Sequence, residues 1–248
     1  MINFSKILAD SFIGKVLRKI LKIIPPNFVL PILQGRLRGK KWVIGSGVFG
    51  YWLGTYEFEK QKLFTKTVKK GDIVFDVGAQ AGFYSLLAAE LIGEKGKVFA
   101  FEPMPDNISY LKKHIELNKY KNIFVREEAV LDKSGFVNFK LGESNFTGRI
   151  SADGGLKVTC VSLDDLIKKG DLPAPDVLKI DVEGAELAVL KGASFTIGEY
   201  HPDIYLSIHG KENSDEIIHF FENSGYNLKI LDRENIKKGG EIFISFNK

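Results

Sequence analysis

A chain of 248 residues, 44% of them hydrophobic, can bury one large core, and a single main mixed α/β domain is the expectation. The formal charge of +4 is unevenly spread: residues 1–41 carry nine Lys/Arg against one acid, Asp10, while the remainder carries 26 against 30. That distribution argues against a catalytic domain wrapped around nucleic acid by a broad basic face. The single cysteine, Cys160, excludes an intramolecular disulfide and a cysteine-rich metal site, and its apolar surroundings, Val158 to Val161, suit a buried inert thiol. No apolar stretch reaches the length of a membrane span and no small-residue cleavage site follows one, so a cytoplasmic protein is expected.

Residues 1–24 place Ile7, Leu8, Phe12, Ile13, Val16, Leu17, Ile20, Leu21 and Ile24 at helical spacing, with Lys15, Arg18, Lys19 and Lys22 between them. Pro25-Pro26 ends that helix. It suits packing on the catalytic domain or on a partner subunit of a homo-oligomer, and a basic amphipathic helix could also rest peripherally on an anionic membrane carrying lipid-linked substrates. Residues 27–41 are expected to form a second short helix. The segment from Trp42 to Glu57 holds both tryptophans and four glycines, as a cover over a site or as core. Glu57 opens a helical stretch to Lys70, either as an ordinary first-turn acid or as a carboxylate reaching a ligand.

The stretch from Ile73 to Ala89 organises the chain. An apolar β-branched run ends on Asp76-Val77, passes through Gly78-Ala79-Gln80-Ala81-Gly82, and resumes at Phe83-Tyr84-Ser85 with an apolar pattern suited to a helix. In open α/β sheets a ligand sits at the carboxyl end of such a strand, where glycines let backbone amides come close. The loop lacks G-x-G-x-x-G, and no phosphate-loop motif occurs anywhere. An acid beside the turn suits the ammonium and sulfonium charges of S-adenosylmethionine better than a chain of phosphates.

A second strand, Lys97 to Phe101, ends on Glu102-Pro103 about twenty residues after the glycine loop, a spacing at which a carboxylate can accept from a ribose diol. A helix follows from Pro105 through Asn118, with Asp106 as N-cap, Ile108, Leu111 and Ile115 buried, and His114 solvated among lysines. Asn122–Arg126 reads as a third strand; Glu128-Ala129 after it could meet an adenine amino group. Alternating, turn-rich patterns from Val130 to Val161 predict added strands, and the polar piece Gly142 to Gly155, with Asn145, Thr147, Arg149 and Ser151, faces either substrate or solvent. Ser162-Leu163-Asp164-Asp165 is a capping box for a helix that Gly170 ends.

Val177 to Ile180 is again a buried strand ending on an acid, Asp181, with Glu183 and Glu186 following. Three close carboxylates could bind a divalent cation, hold a cofactor ammonium or orient a hydroxyl. The strand Asp203–Gly210 puts Ser207 and His209 on one face near its carboxyl end, where His209 is a candidate general base, a substrate ligand or a loop cap. A helix from Ser214 to Asn223 and two strands, Asn227–Leu231 and Ile242–Phe246, joined as a hairpin, complete the sheet.

Four motifs in order, Gly54-Thr55-Tyr56-Glu57, Asp76-Val77-Gly78-Ala79-x-x-Gly82, Phe101-Glu102-Pro103-x-Pro105-x-Asn107 and Lys179-Ile180-Asp181-Val182-Glu183-Gly184-Ala185-Glu186, resemble the FkbM-type family of S-adenosylmethionine-dependent methyltransferases over residues 42–210. The resemblance implies the Rossmann-like class I methyltransferase fold, a seven-stranded mostly parallel sheet with one antiparallel strand near its edge and helices on both faces. Here residues 1–55 would be a helical arm and cofactor-covering segment ahead of a catalytic domain over 56–248. It implies O-methylation of sugars, glycan precursors, polyketides and related metabolites. The loop from Asp76 through Gly78, Ala79, Gly82, Tyr84 and Ser85 would hold the methionine part, Glu102 with Pro103 and Asn107 the ribose, and Glu128 with Ala129 the adenine. Tyr56 and Glu57 would close over the cofactor, Asp181 would lie near the methyl donor, and His209, Asp181 and Glu183 would serve catalysis without a metal. The family often has an acid where Ser207 stands.

Two other readings remain open at this point. Leu111 to Asn118 looks like a stretch of tRNA base methyltransferases, although Asp181-Val182-Glu183 stands where their base-amine members carry an N-P-P-type motif. A non-catalytic cofactor-binding adaptor could use the same fold.

Overall fold

The computed structural model describes residues 24–141, 148–151, 153–209, 211–222, 224–231 and 239–246; the expected helix over residues 1–24 falls outside them except for its last residue, as do Asn145 and Thr147. A seven-stranded sheet forms the centre, built from β3 (Ile73–Val77), β4 (Lys97–Phe101), β5 (Ile123–Arg126), β10 (Val177–Ile180), β11 (Asp203–His209), β12 (Tyr226–Ile230) and β13 (Gly239–Phe246). Its order is β12-β13-β11-β10-β3-β4-β5, and β13 runs antiparallel to both of its neighbours while the other pairings are parallel. This is the class I methyltransferase arrangement.

The strands are apolar on both faces because helices cover both. Val74, Val98, Val177 and Tyr205 pack toward α2 (Phe58–Thr67), α3 (Phe83–Ile92) and α4 (Pro105–Asn118). Phe75, Phe99, Leu178 and Ile204 pack toward α5 (Leu163–Lys168), α6 (Glu186–Lys191), α7 (Ser194–Tyr200) and α8 (Lys211–Phe221). A four-stranded sheet adds β6 (Ala129–Val130), β7 (Gly135–Leu141), β8 (Gly148–Ile150) and β9 (Leu156–Val161) beside β5, as the alternating pattern predicts. Cys160 of β9 is buried, and burial raises its thiol pKa.

Residues 27–41 are not a helix. They form the hairpin of β1 (Val29–Pro31) and β2 (Lys41–Val43), because Pro31 cannot sit inside a helix and Gly35 and Gly39 take left-handed turns at φ 83° and 84°. The short helix α1 (Phe49–Leu53) follows, and Trp42 and Tyr51 share the core with Phe83 and Leu111. The N-cap of α4 is Met104, with Pro105 at the first helical position, so Asp106 lies in the first turn instead of capping it.

His114 is fully buried, not solvated. Its ring stacks on Trp42 at 3.8 Å, Nε2 accepts from the Val43 N–H at 3.0 Å, and Nδ1 therefore carries the proton given to the Ala81 carbonyl at 2.8 Å. Burial pushes its pKa down to about 4. The flanking Lys112 and Lys113 point elsewhere: His114 stands three residues beyond Leu111 and seven beyond Asn107, on the stripe that faces the core.

Candidate active site

The parallel strands end along one rim, which carries Glu128, Glu102, Gly78, Asp181 and His209 in the spatial order of β5, β4, β3, β10 and β11. One cavity opens there, and all five line it. Gly78 must be a glycine: its φ is 75° and a Cβ would stand 2.0 Å from the Asp181 carbonyl. The N–H groups of Gly78 and Ala79 both donate to the Phe101 carbonyl at 3.0 Å, tying the loop to β4. Gly82 turns the chain into α3 at φ 93°.

Glu102 is fixed by the backbone around it. Its Oε2 accepts from the Gln80 N–H at 2.8 Å and its Oε1 from the Met104 N–H at 2.9 Å, with Asn107 adding a side-chain bond. Burial pushes its carboxyl above the usual range against these donors. A carboxylate has about four lone-pair sites, so one stays open for a ribose hydroxyl. Beside it, Ala129, Leu131 and Phe139 make an apolar slot, and Glu128 is clamped side-on by Arg126 at 2.8 and 3.1 Å.

Asp76 does not line this cavity. It is buried on the face below the loop, where its Oδ2 accepts from Ser85 Oγ at 2.6 Å and its Oδ1 lies 3.0 Å from Lys179 Nζ. Lys179 also donates to the Gly78 carbonyl at 2.8 Å and stands 3.7 Å from Asp181. Burial alone would lower the Lys179 pKa, but Asp76 and Asp181 hold it above its usual value. Asp76 and Ser85 thus support the loop from beneath. Tyr84 is buried beside them and lines a narrow adjoining cleft with Tyr56, Lys179 and Asp181.

The three acids after β10 part company. Asp181 and Glu183 line the cavity, whereas Glu186 is fully buried and turned under His209. Glu186 Oε1 accepts from the His209 N–H at 3.0 Å and pairs with His209 Nδ1 at 2.7 Å, which leaves Nε2 facing the cavity 3.9 Å from Asp181. The bond to Glu186 raises the His209 pKa to about 9, against burial and with help from Asp181 and Glu183. Burial would raise Asp181, but Lys179, Lys60 and His209 hold it below the usual range.

Tyr56 and Glu57 also line the cavity, Glu57 in a left-handed conformation at φ 45° as N-cap of α2. Burial and the neighbouring Glu57 keep the Tyr56 phenol protonated. Among the lining residues that sequence reasoning does not name are Gln80, whose side chain accepts from Tyr51, Phe139 of the added sheet, and Glu241 of β13. Glu241 lies directly opposite Ser207 across the β11–β13 ladder, a relation that local sequence does not carry.

Residues 76–228 match the family model described as the methyltransferase FkbM domain. The chain belongs to the FkbM methyltransferase family. It is 31% identical over 152 residues to the hexuronic acid methyltransferase AglP of Haloferax volcanii, an alignment covering 58% of this chain and 62% of that protein. It is 23% identical over 209 residues to the 31-O-demethyl-FK506 methyltransferase FkbM of Streptomyces tacrolimicus, covering 71% of this chain and 80% of that one. The crystal structure of an FkbM methyltransferase from Methylobacillus flagellatus superposes with a TM-score of 0.52 at 20% identity, over 70% of this chain and 43% of that one, and shares the fold. Against AglP, this FkbM chain therefore spans less than two thirds of the relative's length.

The cofactor of FkbM methyltransferases is S-adenosylmethionine, and the residues present fit it. Glu102 is held with an acceptor site to spare, an apolar slot adjoins it, and the cavity wall is rich in carboxylates suited to a sulfonium and an ammonium. When bound, that group supplies an electrophilic methyl.

Proposed function

We propose that this chain is an O-methyltransferase that moves a methyl group from S-adenosylmethionine to a hydroxyl of a sugar, glycan precursor or related metabolite. The observation that carries the reading is the His209–Asp181 pair on the cavity rim, with His209 oriented from behind by the buried Glu186. Glu102, Pro103 and Asn107 would hold the ribose, Glu128 and Ala129 the adenine side, and Tyr56 and Glu57 the outer wall; all of them line the cavity.

Methyl transfer is an in-line displacement, so most of the acceleration can come from holding oxygen and methyl at near-attack distance, worth up to about 7–11 kcal/mol. Neutral His209 Nε2 would accept the hydrogen bond of the incoming hydroxyl and take its one proton as the methyl is transferred, with Glu186 stabilising the resulting imidazolium from behind and ionised Asp181 from the cavity side. Such a base adds roughly 10²–10⁴-fold. Glu183 adds a further carboxylate to the acceptor side of the wall.

The test is transfer of labelled methyl from S-adenosylmethionine to a panel of sugar nucleotides and glycan precursors, with tRNA alongside. Label in a methyl ether of a sugar supports the reading. Label in tRNA alone, or in no acceptor while the cofactor binds, overturns it.

A further inference from the structure

Lys60 is buried beneath the cavity, hydrogen-bonded to one hydroxyl and ion-paired with two carboxylates. Its Nζ donates to Ser207 Oγ at 2.8 Å and lies 3.0 Å from Glu57 Oε2 and 2.7 Å from Glu241 Oε2, while Ser207 donates onward to Glu241 Oε1 at 2.9 Å. One ammonium thus faces two carboxylates, and the side chains of Glu57 and Glu241 keep 18% and 21% of their surface toward the cavity they line. Asp181 adds its charge from β10, and with burial these neighbours push the Glu241 carboxyl above its usual range against Lys60. With Asp181 left to Lys179 and His209, Glu57 and Glu241 still set two carboxylates against the one ammonium of Lys60, which is the condition for taking up a further cation.

The position of Glu241 follows from strand direction. Parallel strands reach the rim with their carboxyl ends, but β13 is antiparallel, so the rim receives its beginning, and Glu241 is its third residue. In sheet order the rim runs from Glu128 and Glu102, the adenosine side, across Gly78 to Asp181, His209 and Glu241. A cofactor laid with its ribose on Glu102 extends its amino-acid tail toward that far side.

We propose that Glu241, together with Glu57, receives the α-ammonium of the cofactor's amino-acid tail, and that the antiparallel course of β13 is what delivers this carboxylate. The inference rests on the cofactor being S-adenosylmethionine. Lys60 pairs with both carboxylates and so sets their direction, and the open lone pairs of Glu57 and Glu241 meet the ammonium.

The test compares calorimetric affinities of the full chain for S-adenosylhomocysteine and for its deaminated analogue, which differs by the amine. The wild-type chain should prefer the amine-bearing ligand by roughly thirtyfold or more, and Glu241→Gln should shrink that preference to about threefold while leaving the analogue's affinity in place. The exchange Ser207→Glu with Glu241→Ser moves the carboxylate across the ladder to the facing position and should restore the preference; it also serves if Glu241→Gln does not fold. An unchanged preference in Glu241→Gln, an equal loss for both ligands, or no preference in the exchanged chain overturns the inference while leaving the cofactor assignment intact. Binding of neither ligand by the wild-type chain overturns the cofactor assignment as well.

Discussion

Asp76 and Lys179 stand opposite each other in the β3–β10 ladder, and their side chains form a buried ion pair at 3.0 Å directly under the glycine loop. Removing one member strands the other in the core, which typically costs about 3–5 kcal/mol, whereas removing both costs less. Lys179→Met should therefore lower the denaturant midpoint sharply, and Asp76→Asn with Lys179→Met should recover much of the loss. A double variant no more stable than the single one would show that the pair is not the support.

Gly78 and Gly82 differ in what surrounds them. A Cβ on Gly78 meets the Asp181 backbone at 2.0 Å, while one on Gly82 meets the Leu111 side chain at 2.4 Å, which can turn away. Gly78→Ala should weaken cofactor binding by roughly tenfold or more and lower the melting temperature; Gly82→Ala should do less of both, since left-handed strain of about 1–2 kcal/mol is common to the two. Calorimetry and thermal melts check the ranking.

Glu102→Ala removes the acceptor position left for the ribose and releases the Gln80 and Met104 amides. With about 1.5–3 kcal/mol for a hydrogen bond to a charged group, affinity for the cofactor should fall by roughly tenfold to 100-fold. An affinity within threefold of wild type would place the ribose elsewhere.

The rate should rise with pH toward the His209 pKa of about 9. At pH 7 only about one imidazole in a hundred is neutral and able to take a proton. Turnover should climb between pH 7 and 9 and level above, and His209→Gln should flatten the profile with cofactor affinity retained. A flat wild-type profile would remove His209 as the base.

The pKa of His114 is shifted the opposite way, and its effect is on stability. Its pKa is about 4 in the folded chain against an ordinary value of 6.5, so the unfolded chain takes up the proton first as pH falls. The folded state loses about 3 kcal/mol from this group between pH 6.5 and 4, and none above that window. His114→Gln should unfold at neutral pH in less denaturant yet show a shallower acid dependence, read from urea midpoints at pH 7 and 4.5.

The parts of the site that could be read from the chain are those written locally. Val77-Gly78, Phe101-Glu102 and Ile180-Asp181 each join a buried strand to a rim residue within a few positions, and period-two alternation carried His209 with them. What was not legible depends on partners distant in sequence. Glu241 follows Lys237-Lys238-Gly239-Gly240 and looks like a surface acid until β13 is paired with β11. The helix α7 carries no local start signal because its cap comes from another helix: Asp164 of α5 accepts from the Phe195 and Thr196 N–H groups at 2.9 Å. A strand-end acid beside a glycine turn looks alike whether it faces outward or down, and the partner that turns Asp76 downward, Lys179, is distant in sequence.

The central sheet closes in an order that differs from the order of synthesis. β13 is the last described strand along the chain yet inserts between β11 and β12, which precede it, so the apolar edge of Tyr205, Leu206 and Ile208 stays open until it arrives. Partly folded chains would then expose a pairing-prone edge and an incomplete ligand wall together, which makes the ligand a selective stabiliser of the finished molecule and its presence during refolding a guard against aggregation.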